Sequence, residues 1–280
     1  MIIARSVAAV SVILSAVGCT PPSPRMAASG LQDLRQSATV GTQLGETVSY
    51  VKSKKPEALT VIWVHGTPGS AEGWSDYVQE PLESTVSIAL DRPGFGQSTP
   101  EAAVVSLEEQ AAAVAAMFPP APQQVILVGH SLGGAVVAYA AARYPERVRA
   151  VVFLASSLDP AQEVIHPMQY VGRAWPISPM LPRALRNANE ELMAFKQQLL
   201  LLQPMLPTIT APAIIVHGTK DDLVPFANVA YLQSHLTGAA CVKTVVLEGQ
   251  NHFLPWNSEA TVRESVRWAI AQTGAHGAGC

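Results

Sequence analysis

Charge is scarce in this chain of 280 residues. Only 14% of them are charged, and 18 Lys and Arg against 21 Asp and Glu leave a formal net charge of −3. No run of cations is present, so no nucleic-acid-binding surface is expected. Cysteine is nearly absent: Cys19, Cys241 and Cys280 are the three in the chain. None has the Cys/His spacing of a zinc site, so no metal is expected either. Cys241 and Cys280 could pair in an oxidising compartment; two unpaired thiols are the alternative. The N-terminal apolar run, Val7 to Val17, is too short to cross a bilayer. As a helix it spans about 16 Å, roughly half of a hydrocarbon core.

What is present points to an exported globular protein. Apolar residues make up 49% of the chain, enough to fill the core of one domain, or of one domain with an insertion. The N-terminus combines a single charge (Arg5), the short apolar run and small residues before Cys19, the pattern of a secretory signal. "AVGC" (16–19) resembles a bacterial lipobox. That resemblance implies lipidation of Cys19 and a membrane tether in the bacterial cell envelope; a plainly cleaved signal or an uncleaved anchor is the alternative. "TPPSPRMAASG" then reads as a flexible linker. The expected layout is a signal over 1–18, a tether over 19–44, a globular domain over 45–273 and a flexible tail over 274–280.

Within that domain, short runs rich in Val and Ile alternate with helical stretches. Strands are predicted at 46–53, 59–65, 85–91, 124–130, 149–155, 212–218 and 242–249. Continuous apolar strands are buried on both faces, as in a parallel sheet covered by helices. Helices are predicted at 106–118, opening on a Ser106/Glu109 capping box, and at 132–143, 226–236 and 258–272, with Ser258 as N-cap. The fold class is therefore α/β, with a mostly parallel central sheet and helices on both faces. Residues 157–210 hold no strand candidate but include a strong helix at 190–203; they are expected to form a short helical cap over the carboxyl edge of the sheet.

Four strand ends carry residues suited to chemistry. In "GHSLGG" (129–134) a buried strand turns directly into a helix. Gly129 and Gly133 let the two approach, which holds Ser131 out at the helix N-terminus beside the N–H of Leu132. Ser131 is the candidate nucleophile and Leu132 one oxyanion donor. In "VIWVHGTPGS" (61–70) the N–H of Thr67 is the candidate second donor, and His65 is expected to brace the turn. "IIVHGTKDDLVP" (214–225) offers Asp221 and Asp222 as the acid that orients a histidine, with Asp159 as a third possibility. His252, in the loop after the last strand, is the candidate general base. His130 adjoins Ser131, but neighbouring side chains on a strand point to opposite faces, so it is not expected to serve. Trp74, Phe253, Met168 and Trp175 are candidate pocket-lining residues.

These motifs resemble the α/β-hydrolase fold superfamily over about residues 45–273. "HGTPGS" is similar to its oxyanion loop. "DRPGFGQS" (91–98) is similar to the structural loop of its single-cap members. In the family's acid motif the Asp lies three residues after the Gly and four before the Pro; counting from Gly218 and Pro225 gives Asp221. The resemblance implies a Ser131–Asp221–His252 triad and a carboxylesterase of small acyl or aryl esters, working without metal or cofactor. A peptidase, amidase or C–C bond hydrolase of the same fold is the alternative, as is a tethered binding protein without turnover.

Overall fold

The computed structural model describes residues 28–40, 47–54 and 59–272. The expected signal, Cys19 and the tail with Cys280 lie outside the described residues; Cys241 is disulfide-bonded. The described strands are β1 (Arg35–Thr39), β2 (Thr47–Lys52), β3 (Leu59–Val64), β4 (Thr85–Leu90), β5 (Val125–His130), β6 (Val148–Leu154), β7 (Ala213–Gly218) and β8 (Val242–Leu247). They form one sheet in the order β1-β2-β4-β3-β5-β6-β7-β8. β1 and β2 run antiparallel to their neighbours, and the strands from β4 across to β8 are parallel. The α-helices are α1 (Ser75–Gln79), α2 (Leu107–Ala115), α3 (Leu132–Arg143), α4 (Pro167–Arg173), α5 (Ile177–Met180), α6 (Arg183–Leu202), α7 (Ala227–His235), α8 (Leu254–Asn257) and α9 (Glu259–Ala271).

Alternation along the strands splits the core into two layers. Ile62 and Val64 of β3, with Val125 and Leu127 of β5, face a cluster that includes α2, α3 and α6. Val61 and Trp63, with Ile126 and Val128, face the opposite cluster, which includes Trp74, Tyr77 and α9. The two-residue period of a pleated strand makes both faces apolar, which is why these strands read as unbroken hydrophobic runs. All seven predicted strands are present. Ser106 caps α2, its hydroxyl accepting from the Glu109 N–H at 3.3 Å. Ser258 precedes α9, but its side chain makes no capping bond; its carbonyl accepts from Val262 instead.

The expected tether needs correction at its C-terminal end. Residues 28–34 form a 3-10 helix that runs into β1, an edge strand paired with β2. Leu31 is fully buried and Leu34 nearly so, both in the layer around Trp63. Arg35 reaches inward to the buried Asp91 at 2.6 Å and to Ser49 Oγ at 2.7 Å. The segment "RQSAT" is short and polar, and its burial is irregular, so no period-2 signal marks it as a strand.

Between β6 and β7 the chain is helical, from α4 through α6 to a 3-10 turn at Gln203–Thr208. α6 starts earlier than the sequence indicates, at Arg183. The Arg183 guanidinium bonds the carbonyls of Gly96 (3.1 Å) and Ser98 (2.7 Å), which fixes the start of the helix on the loop after β4. Among the described residues no helix is long and apolar enough to cross a membrane.

Leu31→Ala tests whether residues 28–34 belong to the core. Urea unfolding should show a loss of roughly 2–5 kcal/mol, the usual cost of truncating a buried leucine. A linker residue would lose none.

Candidate active site

β3 and β5 are adjacent, with Val64 opposite Gly129, so their carboxyl ends open side by side. The chain reaches β4 on one side of β3 and β5 on the other, and a crevice forms where the direction of winding changes. Both loops that leave these ends are apolar and glycine-rich, and they pack tightly. A Cβ on Gly133 would lie 2.4 Å from the Val64 carbonyl oxygen, and one on Gly66 would lie 2.7 Å from Ser131 Cβ. Only glycine lets the N-terminus of α3 and the 65–70 loop approach this closely.

Ser131 sits between β5 and α3 with φ 57° and ψ −129°. A non-glycine residue with φ in this range carries strain of order 1–3 kcal/mol. The strain turns the hydroxyl out at the N-terminus of a twelve-residue helix, where the helix dipole favours negative charge. Ser131 is half-buried, and among the described residues no group hydrogen-bonds its hydroxyl. The backbone N–H groups of Thr67 and Leu132 are likewise without partners among the described residues.

On the other side of the edge, β7 and β8 end in loops that are tied together. Thr219 N–H donates to the Leu247 carbonyl at 3.1 Å, and Lys220 N–H to the Gln250 carbonyl at 3.0 Å. These bonds bring Asp221 and His252 together: His252 Nδ1 donates to Asp221 Oδ2 at 2.8 Å. The other oxygen, Oδ1, accepts the N–H groups of Leu223 (3.0 Å) and Val224 (2.8 Å). Burial pushes the Asp221 carboxyl up. The hydrogen bonds from His217 and His252 outweigh that and hold it well below the usual carboxylate range. It is therefore ionised, as a group that orients an imidazole must be. Asp222 is exposed, and Asp159 is occupied with Ala161 N–H and Gln162 instead.

His130 lies against His252, ring centroids 4.7 Å apart, and its Nε2 bonds the His252 carbonyl oxygen at 2.9 Å. It joins the strand that bears Ser131 to the loop that bears His252. Burial, with His252 beside it, pushes its pKa down to about 3, so it is neutral. His65 is also held well below its ordinary value, by burial and by Arg92. Its Nε2 accepts the Arg92 N–H at 3.0 Å, which leaves Nδ1 to donate to the Gly66 carbonyl at 2.7 Å.

One of the four candidate pocket residues lies elsewhere. Trp74 is buried in the core against Trp63 and Tyr77, because the turn that carries it packs onto the sheet. Met168 is 56% exposed and Trp175 85%, in the helical segment between β6 and β7. Phe253 does adjoin the site, with its ring 5.8 Å from that of His252. Sequence reasoning missed His217. It is fully buried, bonds the Val224 carbonyl at 3.0 Å and stands 3.4 Å from Asp221 Oδ2. Its place four residues before the acid, inside a buried strand, is the only signal it gives. Tyr77 was also missed; its hydroxyl bonds the Pro255 carbonyl at 2.6 Å and fixes the chain just after His252.

The buried neutral histidines predict a pH dependence. His130 binds a proton in the unfolded chain below its ordinary value of 6.5, and in the folded protein only near 3. Its contribution to stability is therefore complete above 6.5 and is lost as pH falls from there toward 3. The urea midpoint should drop across this window, and more gently in His130→Gln. Equal slopes would mean that His130 is not held neutral.

Comparison with known proteins agrees with this architecture. Residues 60–176 match the family model of the alpha/beta hydrolase fold. Over 98 residues the chain is 42% identical to a pimeloyl-(acyl-carrier protein) methyl ester esterase of Salmonella heidelberg, covering 35% of this chain and 36% of that protein. Over 111 residues it is 35% identical to a dihydrolipoyllysine-residue acetyltransferase component of an acetoin cleaving system in Cupriavidus necator, covering 39% and 29%. The chain thus spans about a third of the length of these relatives. The crystal structure of a Paleococcus ferrophilus monoacylglycerol lipase superposes with a TM-score of 0.66 at 20% identity, over 81% of this chain and 99% of that one. The eight-stranded, mostly parallel sheet, its strand order and these likenesses together give this chain the α/β-hydrolase fold.

Proposed function

We propose that the chain is a serine hydrolase that cleaves carboxylic esters of modest size through an acyl-enzyme. The observation that carries this reading is the buried Asp221–His252 hydrogen bond of 2.8 Å, tied through His130 to the strand end that leads into the half-buried, strained Ser131. The ester-cleaving relatives, a methyl ester esterase and a monoacylglycerol lipase, support it.

In this mechanism Asp221 fixes the His252 tautomer by accepting the Nδ1 proton, which leaves Nε2 as the base. His252 Nε2 removes the Ser131 proton as Oγ attacks the ester carbonyl carbon. The carbonyl oxygen becomes an oxyanion held by the N–H groups of Thr67 and Leu132, each donor contributing about 3 kcal/mol. The intermediate collapses: the C–O bond to the alcohol breaks, and His252 returns the proton to the leaving oxygen. Water, deprotonated by His252, then releases the acid and restores Ser131. Serine–base hydrogen bonds often form only with substrate bound, consistent with the free Ser131 hydroxyl. Cys19 and the apolar segment before it support a further part of the proposal, a lipid tether holding this enzyme in the cell envelope.

Ser131→Ala should abolish hydrolysis of p-nitrophenyl acetate and labelling by a fluorophosphonate probe. Asp221→Asn should lower kcat by roughly 10⁴, because the amide favours the wrong histidine tautomer. Wild-type turnover in Ser131→Ala would overturn the mechanism.

A further inference from the structure

Arg92, the residue after the buried Asp91, is fully buried and makes more bonds than a loop brace requires. Its Nε donates to the His65 carbonyl at 2.9 Å, and its Nη2 to the Gly66 carbonyl at 3.0 Å. Its other face meets Glu191 of α6 in a two-pronged pair, Nη1 to Oε1 at 2.7 Å and Nη2 to Oε2 at 3.0 Å. Glu191 is buried as well, and its Oε1 also accepts from Gln110 Nε2 at 3.2 Å. The guanidinium sits over the Phe95 ring, 4.9 Å from the centroid.

The Gly66 carbonyl belongs to the same peptide unit as the Thr67 N–H. In a trans peptide these two groups point in opposite directions from one rigid plane. The carbonyl accepts both from Arg92 Nη2 and from His65 Nδ1 on the inner side of the loop. The Thr67 N–H must then face away from them. Gly66, in that same peptide unit, packs directly against Ser131. Without these two donors the peptide plane is free to rotate about its flanking single bonds, and the N–H loses its fixed aim.

We propose that Glu191 is a positioning residue for the oxyanion site. Through Arg92 it locks the Gly66–Thr67 peptide plane, so that seating of α6, in the segment between β6 and β7, aligns a donor for the reaction. Glu191 touches no reacting atom. A planar guanidinium held between one carboxylate and two carbonyls has little freedom left, and its orientation follows that of the carboxylate. The inference rests on the oxyanion role given to Thr67 above.

The test compares wild type with Glu191→Gln and with the double variant Arg92→Leu/Glu191→Leu. Readouts are kcat and KM for p-nitrophenyl acetate, and inhibition by a trifluoromethyl ketone, which forms a tetrahedral adduct with serine. Glu191→Gln should lower kcat by roughly tenfold, part of the loss seen when an oxyanion donor is removed outright. KM should stay within about threefold, since a donor aimed at the oxyanion acts mainly in the transition state. The trifluoromethyl ketone should weaken by the same factor as kcat/KM. The double variant replaces the ion pair with apolar bulk, which generally preserves folding. It should melt cooperatively yet be as slow as the single variant, and it decides the matter alone if Glu191→Gln does not fold. Full kcat in either folded variant, or a rate loss with unchanged ketone affinity, would overturn the proposal. Ser131→Ala separates the two layers. Acyl-enzyme seen by mass spectrometry in that variant removes the mechanism itself. Its absence there, with full rates in the Glu191 variants, removes only the coupling.

Discussion

The carbonyl oxygens of Val64 and His65 occupy the space where a side chain at position 133 would have to go. This contact, helix backbone against strand end, sets the geometry on which the rest of the site depends. It draws the start of α3 down onto the end of β3. The chain between β5 and α3 must then turn within a single residue, and Ser131 takes a conformation that a free chain would avoid. The same closeness puts Gly66 against Ser131, so the loop that follows β3 borders the hydroxyl. A wider turn would relax the serine and separate it from the N–H groups around it.

Electrostatics around this turn follow one pattern: His65 and His130 are kept neutral and the Asp221 carboxylate is kept charged. His65 and His130 lose their protons to burial and to neighbouring cationic or potentially cationic groups. Asp221 resists the same burial because His252 and two backbone N–H groups donate to it and His217 Nε2 stands 3.4 Å from its Oδ2. Neutral imidazoles can each accept on one nitrogen and donate on the other, which suits them to bridge strand ends. His65 links the loops after β3 and β4; His130 links β5 to the loop after β8. His65 and His130 thus tie together the strand ends around the site.

Much of this was legible in the chain because local rules carry it. The Val- and Ile-rich runs announce strands buried on both faces, and seven were read within a few residues. "GHSLGG" announces a sharp strand-to-helix turn, since only small residues tolerate that approach. The resemblance to the α/β-hydrolase acid motif pointed to Asp221 rather than Asp222, and it is Asp221 that pairs with His252. β1 escaped because a five-residue polar edge strand has no periodicity to detect. Trp74 was misjudged for a related reason. An aromatic beside a glycine-rich loop can face a cleft or the core, and only the packing of Trp63 and Tyr77 around it selects the core.

The succession of β2 to β8 along the chain, the turn and the identities of the polar side chains were present in the sequence, because each depends on residues within a few positions of one another. What lay beyond it were the contacts across long separations. Arg35 with Asp91, Arg92 with Glu191 and His130 with His252 join residues 56, 99 and 122 positions apart. Buried polar groups must find partners, but a chain read in one dimension does not say which ones. The sheet order and the seating of α6 choose them. The burial that makes those partners obligatory appears only when the layers close.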